Sequence, residues 1–142
     1  SALEKNLAAL ENGSYGLCFG SGLAAIDSII KLLSPGDEVI ATNDLYGGTY
    51  RLFKKIFQNY GIKFHFTEMS DLNSITDLIT TKTKMLWAET PTNPMLNIID
   101  IKKMASKTLI KILLDEVDIA QEGKNLIPIP RLFFCNSFFI PT

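Results

Sequence analysis

A glycine-rich segment, Gly20-Ser21-Gly22-Leu23, joins a predicted strand to a predicted helix. The amino terminus of a helix presents free N–H groups and the positive end of the helix dipole, and both favour a bound phosphate. Glycine also lets the backbone approach such an anion closely. The segment therefore predicts a phosphate-binding turn, although a tight turn that binds no ligand fits the same pattern.

A second polar segment contains Tyr46, followed by Gly47-Gly48 and, one helical turn later, by Arg51. A tyrosine ring held beside glycines can stack on a flat heteroaromatic ligand, which is worth about 1 kcal/mol beyond burial. The guanidinium of Arg51 suits a carboxylate, which it can bind through two parallel hydrogen bonds. Taken singly, the tyrosine also fits a packing role and the arginine a solvated surface position.

The third polar segment, Glu89-Thr90-Pro91-Thr92-Asn93-Pro94, contains two prolines. These prolines stiffen the chain, and Asn93 is biased towards an extended conformation because Pro94 follows it. A rigid loop of this kind can aim the Asn93 amide at a ligand oxygen. The alternative is an ordinary Asn-Pro turn.

Each of these segments follows a predicted strand in a chain where strand and helix patterns alternate as far as about residue 106. This rhythm predicts an α/β fold with a mostly parallel sheet and helices on both faces. Ligands of such sheets bind beyond the carboxyl ends of the strands, so we expect the three segments to converge. Ser1 and Glu4 predict a capping box on the first helix. The predicted strands are Tyr15–Phe19, Val39–Thr42, Ile62–Phe66 and Met85–Ala88, and the later helices carry apolar stripes over 53–60 and, as a long helix, over 72–79.

The composition is that of an ordinary globular domain: 142 residues, 46% hydrophobic and 20% charged, with a net charge of −1. The charge balance gives no sign of a nucleic-acid or anionic-membrane partner. No apolar run approaches the roughly 20 residues that span a bilayer, and no secretory signal pattern is found. Cys18 and Cys135 have neither a disulfide framework nor metal-ligand spacing. We therefore expect a cytoplasmic protein with no metal, nucleic acid or membrane.

The glycine-rich segment also fits a dinucleotide fingerprint, because Gly20 to Ala25 matches G-x-G-x-x-[G/A]. Asp44 follows the next predicted strand, about where an acid that binds a ribose would lie. A dinucleotide-binding α/β domain is therefore one alternative, although it leaves Tyr46 and Asn93 without a purpose.

Several segments together resemble the trans-sulfuration family of pyridoxal-phosphate (PLP) enzymes, which includes cystathionine γ-lyase, γ-synthase and β-lyase. The segments are SGLAA (21–25), PGDEVI (35–40), LYGGTYR (45–51), KFHF (63–66) and ETPTNP (89–94). The resemblance covers 1–105 and implies the amino-terminal part of the PLP-binding large domain of a fold-type-I enzyme. We interpret 106–142 as a divergent tail that could contain an insertion.

The resemblance implies a cofactor site for PLP. The backbone of Gly22 and Leu23, with Ser21 in the same turn, matches the family's phosphate cradle. Tyr46 matches the tyrosine that stacks on the pyridine ring and takes part in proton transfer. Asn93 matches the asparagine that donates a hydrogen bond to the cofactor's 3-oxygen.

Other matches concern the edges of that site. Glu89, in the same loop as the family's cofactor-binding asparagine, is also expected to bind the cofactor, and Arg51 matches an arginine near the substrate. The family pairs an aspartate with the pyridinium nitrogen, and two registers compete for that position. One register places Asp118 there and the other places Cys135, whose thiol would replace the carboxylate.

The implied activity is C–S bond cleavage or γ-replacement on cystathionine, cysteine or homoserine esters, in a homotetramer. The family's Schiff-base lysine lies in a Ser-x-Thr-Lys segment downstream of Thr142, and Lys82 and Lys84 do not match it. We therefore expect these 142 residues to be inactive alone. A non-catalytic truncated relic is a further alternative.

Overall fold

The computed structural model describes residues 1–10, 15–101 and 103–104, together with the backbone of 111–115 and 132–135. Its α-helices are α1 (Ala2–Leu10), α2 (Gly22–Ile30), α3 (Gly47–Lys55) and α4 (Leu72–Thr76), with a 3₁₀ helix at Phe57–Tyr60. Its strands are β1 (Tyr15–Cys18), β2 (Glu38–Thr42), β3 (Lys63–Thr67), β4 (Thr83–Glu89), β5 (Lys111–Asp115) and β6 (Leu132–Cys135). None of the helices in these described residues is long and apolar enough to cross a membrane.

The central sheet has four parallel strands in the order β3-β2-β4-β5. All five residues of β2 are buried, as expected for an inner strand with helices on both faces. A separate parallel pair joins β1 to β6, with Cys18 opposite Cys135. The parallel α/β arrangement predicted from the sequence is confirmed.

Alternate side chains of β2 and β4 enter two different cores. Val39, Ala41 and Trp87 pack against α2 and α3, where the Phe53 ring stacks on Phe64 at 4.5 Å between centroids and meets Trp87 edge-on at 5.3 Å. The opposite face buries a second group, made up of Ile40, Met69, Ile75, Leu86, Ala88, Ile99 and Met104. Helical residues therefore cover both faces of the sheet.

The capping box at the start of α1 is present. The Ser1 hydroxyl accepts the N–H of Glu4 at 3.3 Å, and the Glu4 carboxylate accepts from the Ser1 nitrogen at 2.6 Å. The same carboxylate accepts the N–H of Cys18 at 3.1 Å, which ties α1 to β1.

The prediction of a long helix over 72–79 was wrong, because α4 ends at Thr76. Asp71 caps its amino terminus by accepting the N–H of Asn73 at 3.0 Å. After Thr76 the backbone hydrogen bonds span three residues instead of four: the N–H of Leu78 donates to the carbonyl of Ile75, and that of Ile79 donates to the carbonyl of Thr76. The β-branched isoleucines and threonines that crowd this segment have low helix propensity, so the apolar spacing alone overstated the helix.

The helix predicted over 53–60 is also interrupted. Its α-helical part ends at Lys55, and Ile56 with φ −114° leads into the 3₁₀ turn. Gly61 then closes the segment in the left-handed conformation, with φ 84°, which glycine adopts without strain. Ile56 and Tyr60, assigned to the apolar stripe, are 45% and 68% exposed.

Candidate functional site

Two of the three polar segments lie beyond the carboxyl ends of central strands, and the helix that follows the first segment has its amino terminus towards the same edge. The second segment follows Thr42 at the end of β2, and the third begins at Glu89, the end of β4. The last turn of α2 lies near Ile62, at the opposite edge, so its first turn points to the carboxyl edge. The predicted convergence is therefore consistent with the direction of each element.

The first segment forms the amino terminus of α2. The Ser21 hydroxyl accepts the N–H of Ala24 at 3.2 Å and so caps the helix. The N–H groups of Gly22 and Leu23 belong to the first turn, where a helix offers no intrahelical acceptor. A Cβ added at Gly20 would meet no heavy atom within 4 Å, so the approach to this turn is open. Its backbone donors suit a phosphate, whereas the Ser21 hydroxyl already serves as the cap.

Tyr46 presents a half-exposed ring, 46% accessible, at the start of α3. A Cβ added at Gly48 would lie against this ring, 3.0 Å from Cδ1 and 3.1 Å from Cζ. Glycine at position 48 is therefore needed for the ring to lie where it does. The exposed part of the ring offers a flat apolar surface to a ligand.

Glu89 holds the second segment through a hydrogen bond to its backbone. It is only 6% exposed, and its Oε2 accepts the backbone N–H of Tyr46 at 2.8 Å. The resemblance implied that Glu89 binds the cofactor, and the structure gives this oxygen a contact with the Tyr46 backbone. Sequence reasoning could not foresee the contact, because 43 residues separate the partners.

Asn93 is exposed at the tip of a compact turn. Thr92 is 2% exposed and organises that turn: its hydroxyl accepts the N–H of Asn97 at 2.8 Å, and its carbonyl accepts that of Leu96 at 3.0 Å. The N–H of Ile99 reaches the Thr90 hydroxyl at 3.0 Å. The threonines thus cap local backbone, and the Asn93 amide is presented to solvent.

Asp44 joins the second segment to the residues that follow the third. Its Oδ2 accepts the backbone N–H of Met95 at 3.0 Å. The dinucleotide alternative required this carboxylate for a ribose, so the contact disfavours that alternative. The sequence pointed to Asp44 as a polar residue after a strand, but for a different partner.

Arg51 is exposed on the first turns of α3 and leans back towards the second segment. Its Nη1 lies 3.3 Å from the position that a Cβ on Gly47 would occupy. The guanidinium is therefore available at the rim of the carboxyl edge, where a substrate carboxylate could reach it.

The competing positions for a pyridinium partner fall at the limit of what the structure describes. Asp118 lies outside the described residues. Cys135 ends β6 beside Cys18, away from the central sheet. The residue at the carboxyl end of β5, in register with Glu89, is Asp115. Asp115 was not among the positions predicted from the sequence, although the run Ile112-Leu113-Leu114 before it is a strand signal.

Comparison with known proteins places the chain among enzymes of one metabolic class. Residues 1–119 match the model of a family described as Cys/Met metabolism PLP-dependent enzyme. Cystathionine gamma-lyase from Dictyostelium discoideum is 47% identical over 104 residues, which cover 73% of this chain and 27% of that protein. Cystathionine beta-lyase from Coxiella burnetii is 46% identical over 105 residues, with the same coverage, 73% and 27%.

Solved structures agree with the sequence matches. The structure of metB from Corynebacterium glutamicum superimposes with a TM-score of 0.75 at 42% identity, covering 80% of this chain and 31% of that one. Cystathionine gamma-lyase from Lactobacillus plantarum, complexed with L-serine, gives a TM-score of 0.77 at 41% identity, covering 81% and 31%. The chain thus spans between a quarter and a third of the length of these relatives.

Proposed function

The chain belongs to the Cys/Met metabolism PLP-dependent enzyme family, and we propose that its carboxyl edge forms one part of a PLP site for trans-sulfuration chemistry. The reaction class is C–S bond cleavage or γ-replacement on an amino-acid substrate such as cystathionine, cysteine or a homoserine ester. The enzyme would be cytoplasmic and homo-oligomeric, a tetramer by its family. Its relatives include gamma-lyase, gamma-synthase and beta-lyase, so no single one of these reactions is favoured.

The donor set at this edge fits the cofactor. The N–H groups of Gly22 and Leu23 would bind the phosphate, and the Tyr46 ring would stack on the pyridine ring. The exposed Asn93 amide would donate a hydrogen bond to the ring oxygen. When bound, PLP supplies an electron sink for the charge that develops on the substrate α-carbon.

The remaining roles concern the substrate, protons and the ring nitrogen. Arg51 would bind the substrate carboxylate, and the Tyr46 hydroxyl would move a proton between substrate and solvent. For the position that would pair with the ring nitrogen we favour Asp115, because it ends the strand beside β4. Asp118 and Cys135 are the alternatives to it.

One observation carries the proposal: the 2.8 Å contact between the Tyr46 N–H and Glu89 Oε2. It brings the Tyr46 segment and the start of the Asn93 segment to the same edge of the sheet. A stacking ring and an amide donor on one edge, with a helix amino terminus pointing to it, suit a flat phosphorylated ligand. The dinucleotide alternative explains neither Tyr46 nor Asn93.

Equilibrium dialysis of PLP against the 142-residue chain tests the proposal. We expect Tyr46→Ala to weaken binding about fivefold, since an offset stack contributes about 1 kcal/mol. Tyr60→Ala is the matched control, because Tyr60 is an exposed tyrosine at the opposite edge. Equal weakening in both variants, or in neither, would overturn the assignment of Tyr46.

We also propose that these 142 residues do not catalyse the reaction by themselves, because none of them matches the Schiff-base lysine. Incubation with cystathionine and PLP is expected to release neither pyruvate nor 2-oxobutanoate. Release of either product by the purified chain would contradict this proposal. Sequencing the transcript through both ends and across 106–131 identifies the reading frame to be assayed for activity.

A further inference from the structure

The hydrogen bond between Asp44 and Met95 joins residues that are close in sequence to the two side chains that would face the ligand. Asp44 precedes Tyr46 by two residues, and Met95 follows Asn93 by two residues. The bond from the Met95 N–H to Asp44 Oδ2 measures 3.0 Å. It therefore joins the two segments next to Tyr46 and Asn93.

The Met95 side of this link has little packing to hold it. Met95, Leu96 and Ile98 are each 70% exposed, so burial of their side chains contributes little to fixing the turn. The Thr92 hydrogen bonds maintain the shape of the turn, since both their partners lie within it. Thr92 and Ile99 are buried and hold the ends of the turn to the body of the protein, but they do not fix the exposed tip, which contains Asn93 and Met95, relative to Tyr46. A polar contact that crosses between the segments does so, and a charged acceptor makes it stronger than a neutral one.

The Tyr46 side of the link is held separately. The Glu89 carboxylate accepts the Tyr46 N–H, which anchors the second segment to the end of β4. Asp44 is partly buried between this anchored segment and the turn that carries Asn93. Loss of its carboxylate would leave Tyr46 anchored while Asn93 became free to shift.

We propose that Asp44 is a positioning residue that sets the Asn93 amide at a fixed distance from the Tyr46 ring. The proposal rests on the proposed function, because the ligand that would use this spacing is PLP. Asp44 itself does not touch the ligand. It acts by holding the backbone of Met95, and it does so whether or not the ligand is bound.

Two variants of Asp44 separate the contact from the charge. Asp44→Ala removes the acceptor, whereas Asp44→Asn keeps an oxygen that can accept the Met95 N–H. Asp77→Ala is the control, because Asp77 is an exposed aspartate just after α4, outside the candidate site. Each is compared with the unmodified 142-residue chain by amide hydrogen exchange without PLP, and by equilibrium dialysis of PLP.

Exchange at the Met95 amide is expected to rise at least about tenfold in Asp44→Ala, with PLP binding weakened by roughly the same factor. Asp44→Asn is expected to restore both within about threefold, since a neutral acceptor keeps part of the bond. The control should change neither. Rescue by asparagine distinguishes a lost contact from a general loss of structure.

Two outcomes overturn the positioning role: unchanged Met95 exchange in Asp44→Ala, or faster exchange with unchanged PLP affinity. Absence of PLP binding by the unmodified chain counts instead against the proposed function. In that case the exchange measurement still decides whether Asp44 holds the Met95 backbone, because it is made without PLP.

Discussion

The two edges of the central sheet each contain a buried glutamate, and they use it in opposite ways. Glu38 begins β2 and Glu89 ends β4, and both are 6% exposed. A buried carboxylate is stable only when hydrogen bonds or charges compensate for the water it has lost. What compensates each of them distinguishes a structural edge from a candidate functional one.

At the amino edge, side chains satisfy Glu38. Its Oε2 pairs with His65 Nε2 at 3.0 Å and accepts the Thr80 hydroxyl at 3.1 Å, while Lys63 Nζ lies 3.5 Å from Oε1. These contacts tie β2 to β3 and to the turn before β4. The histidine is therefore structural, and this edge is closed by its own side chains.

At the carboxyl edge, Glu89 holds a backbone group. Its Oε2 accepts the Tyr46 N–H, so the tyrosine ring itself remains free to face a ligand. The Asp44 carboxylate likewise accepts a backbone N–H, that of Met95, and the Asn93 side chain is exposed. Because these carboxylates accept backbone N–H groups, the neighbouring side chains are available to contact a ligand. Substitutions at the amino edge should therefore change stability, whereas substitutions at the carboxyl edge should change ligand binding.

The largest expected effect is that of Glu38→Ala, which should lower the free energy of unfolding by about 2–3 kcal/mol. The substitution removes the buried carboxylate that His65 and Thr80 both contact. Urea denaturation measures the loss, and Glu68→Ala, an exposed glutamate, should stay within about 0.5 kcal/mol of the unmodified chain. PLP affinity at a temperature where the variant is folded should not change; a parallel loss of affinity would break the contrast between the edges.

An intermediate effect is expected for Gly48→Ala, with the opposite signature. The new Cβ displaces the Tyr46 ring, which is half exposed and able to move, so the free energy of unfolding should change by less than about 1 kcal/mol. PLP binding should weaken about fivefold, because the stacking surface moves. Gly20→Ala is a control for stability alone, since its Cβ would meet no heavy atom within 4 Å but Gly20 belongs to the predicted phosphate-binding turn. A large stability loss with unchanged affinity would show that position 48 is structural.

The smallest effect is a dependence of stability on acidic pH at the amino edge. Burial raises the pKa of Glu38, but hydrogen bonds from His65 and Thr80 and the charge of Lys63 outweigh it, so the pKa lies below its ordinary value of 4.5. The unfolded chain then binds a proton more readily than the folded one. Stability should therefore fall as the pH decreases from 4.5 through the folded pKa, with a shallower slope in Glu38→Gln. Urea titrations at pH 6 and at a series of lower pH values measure how stability depends on pH in the unmodified chain and in Glu38→Gln. Identical slopes of stability against pH in the two proteins would contradict this account.

The local pattern of the sequence predicted much of the fold and the candidate site. Buried runs marked β2 and β4, and the polar segments after them lie at the expected edge. The resemblance selected Tyr46 and Asn93, both of which are exposed there. Apolar spacing failed at α4, because a stripe of isoleucine and leucine does not reveal the low helix propensity of the residues between them.

Tertiary structure alone decided which carboxylate holds which segment. Glu89 meets Tyr46 across 43 residues and Asp44 meets Met95 across 51, so no local pattern connects either pair. The sequence showed that acids follow the strands, which suggested ligand contacts for both. Parallel strands bring residues that are distant in sequence to one edge of the sheet. There a carboxylate accepts a hydrogen bond from a nearby backbone N–H. Which N–H it accepts depends on how β2 pairs with β4, and residue types and spacing do not reveal that pairing.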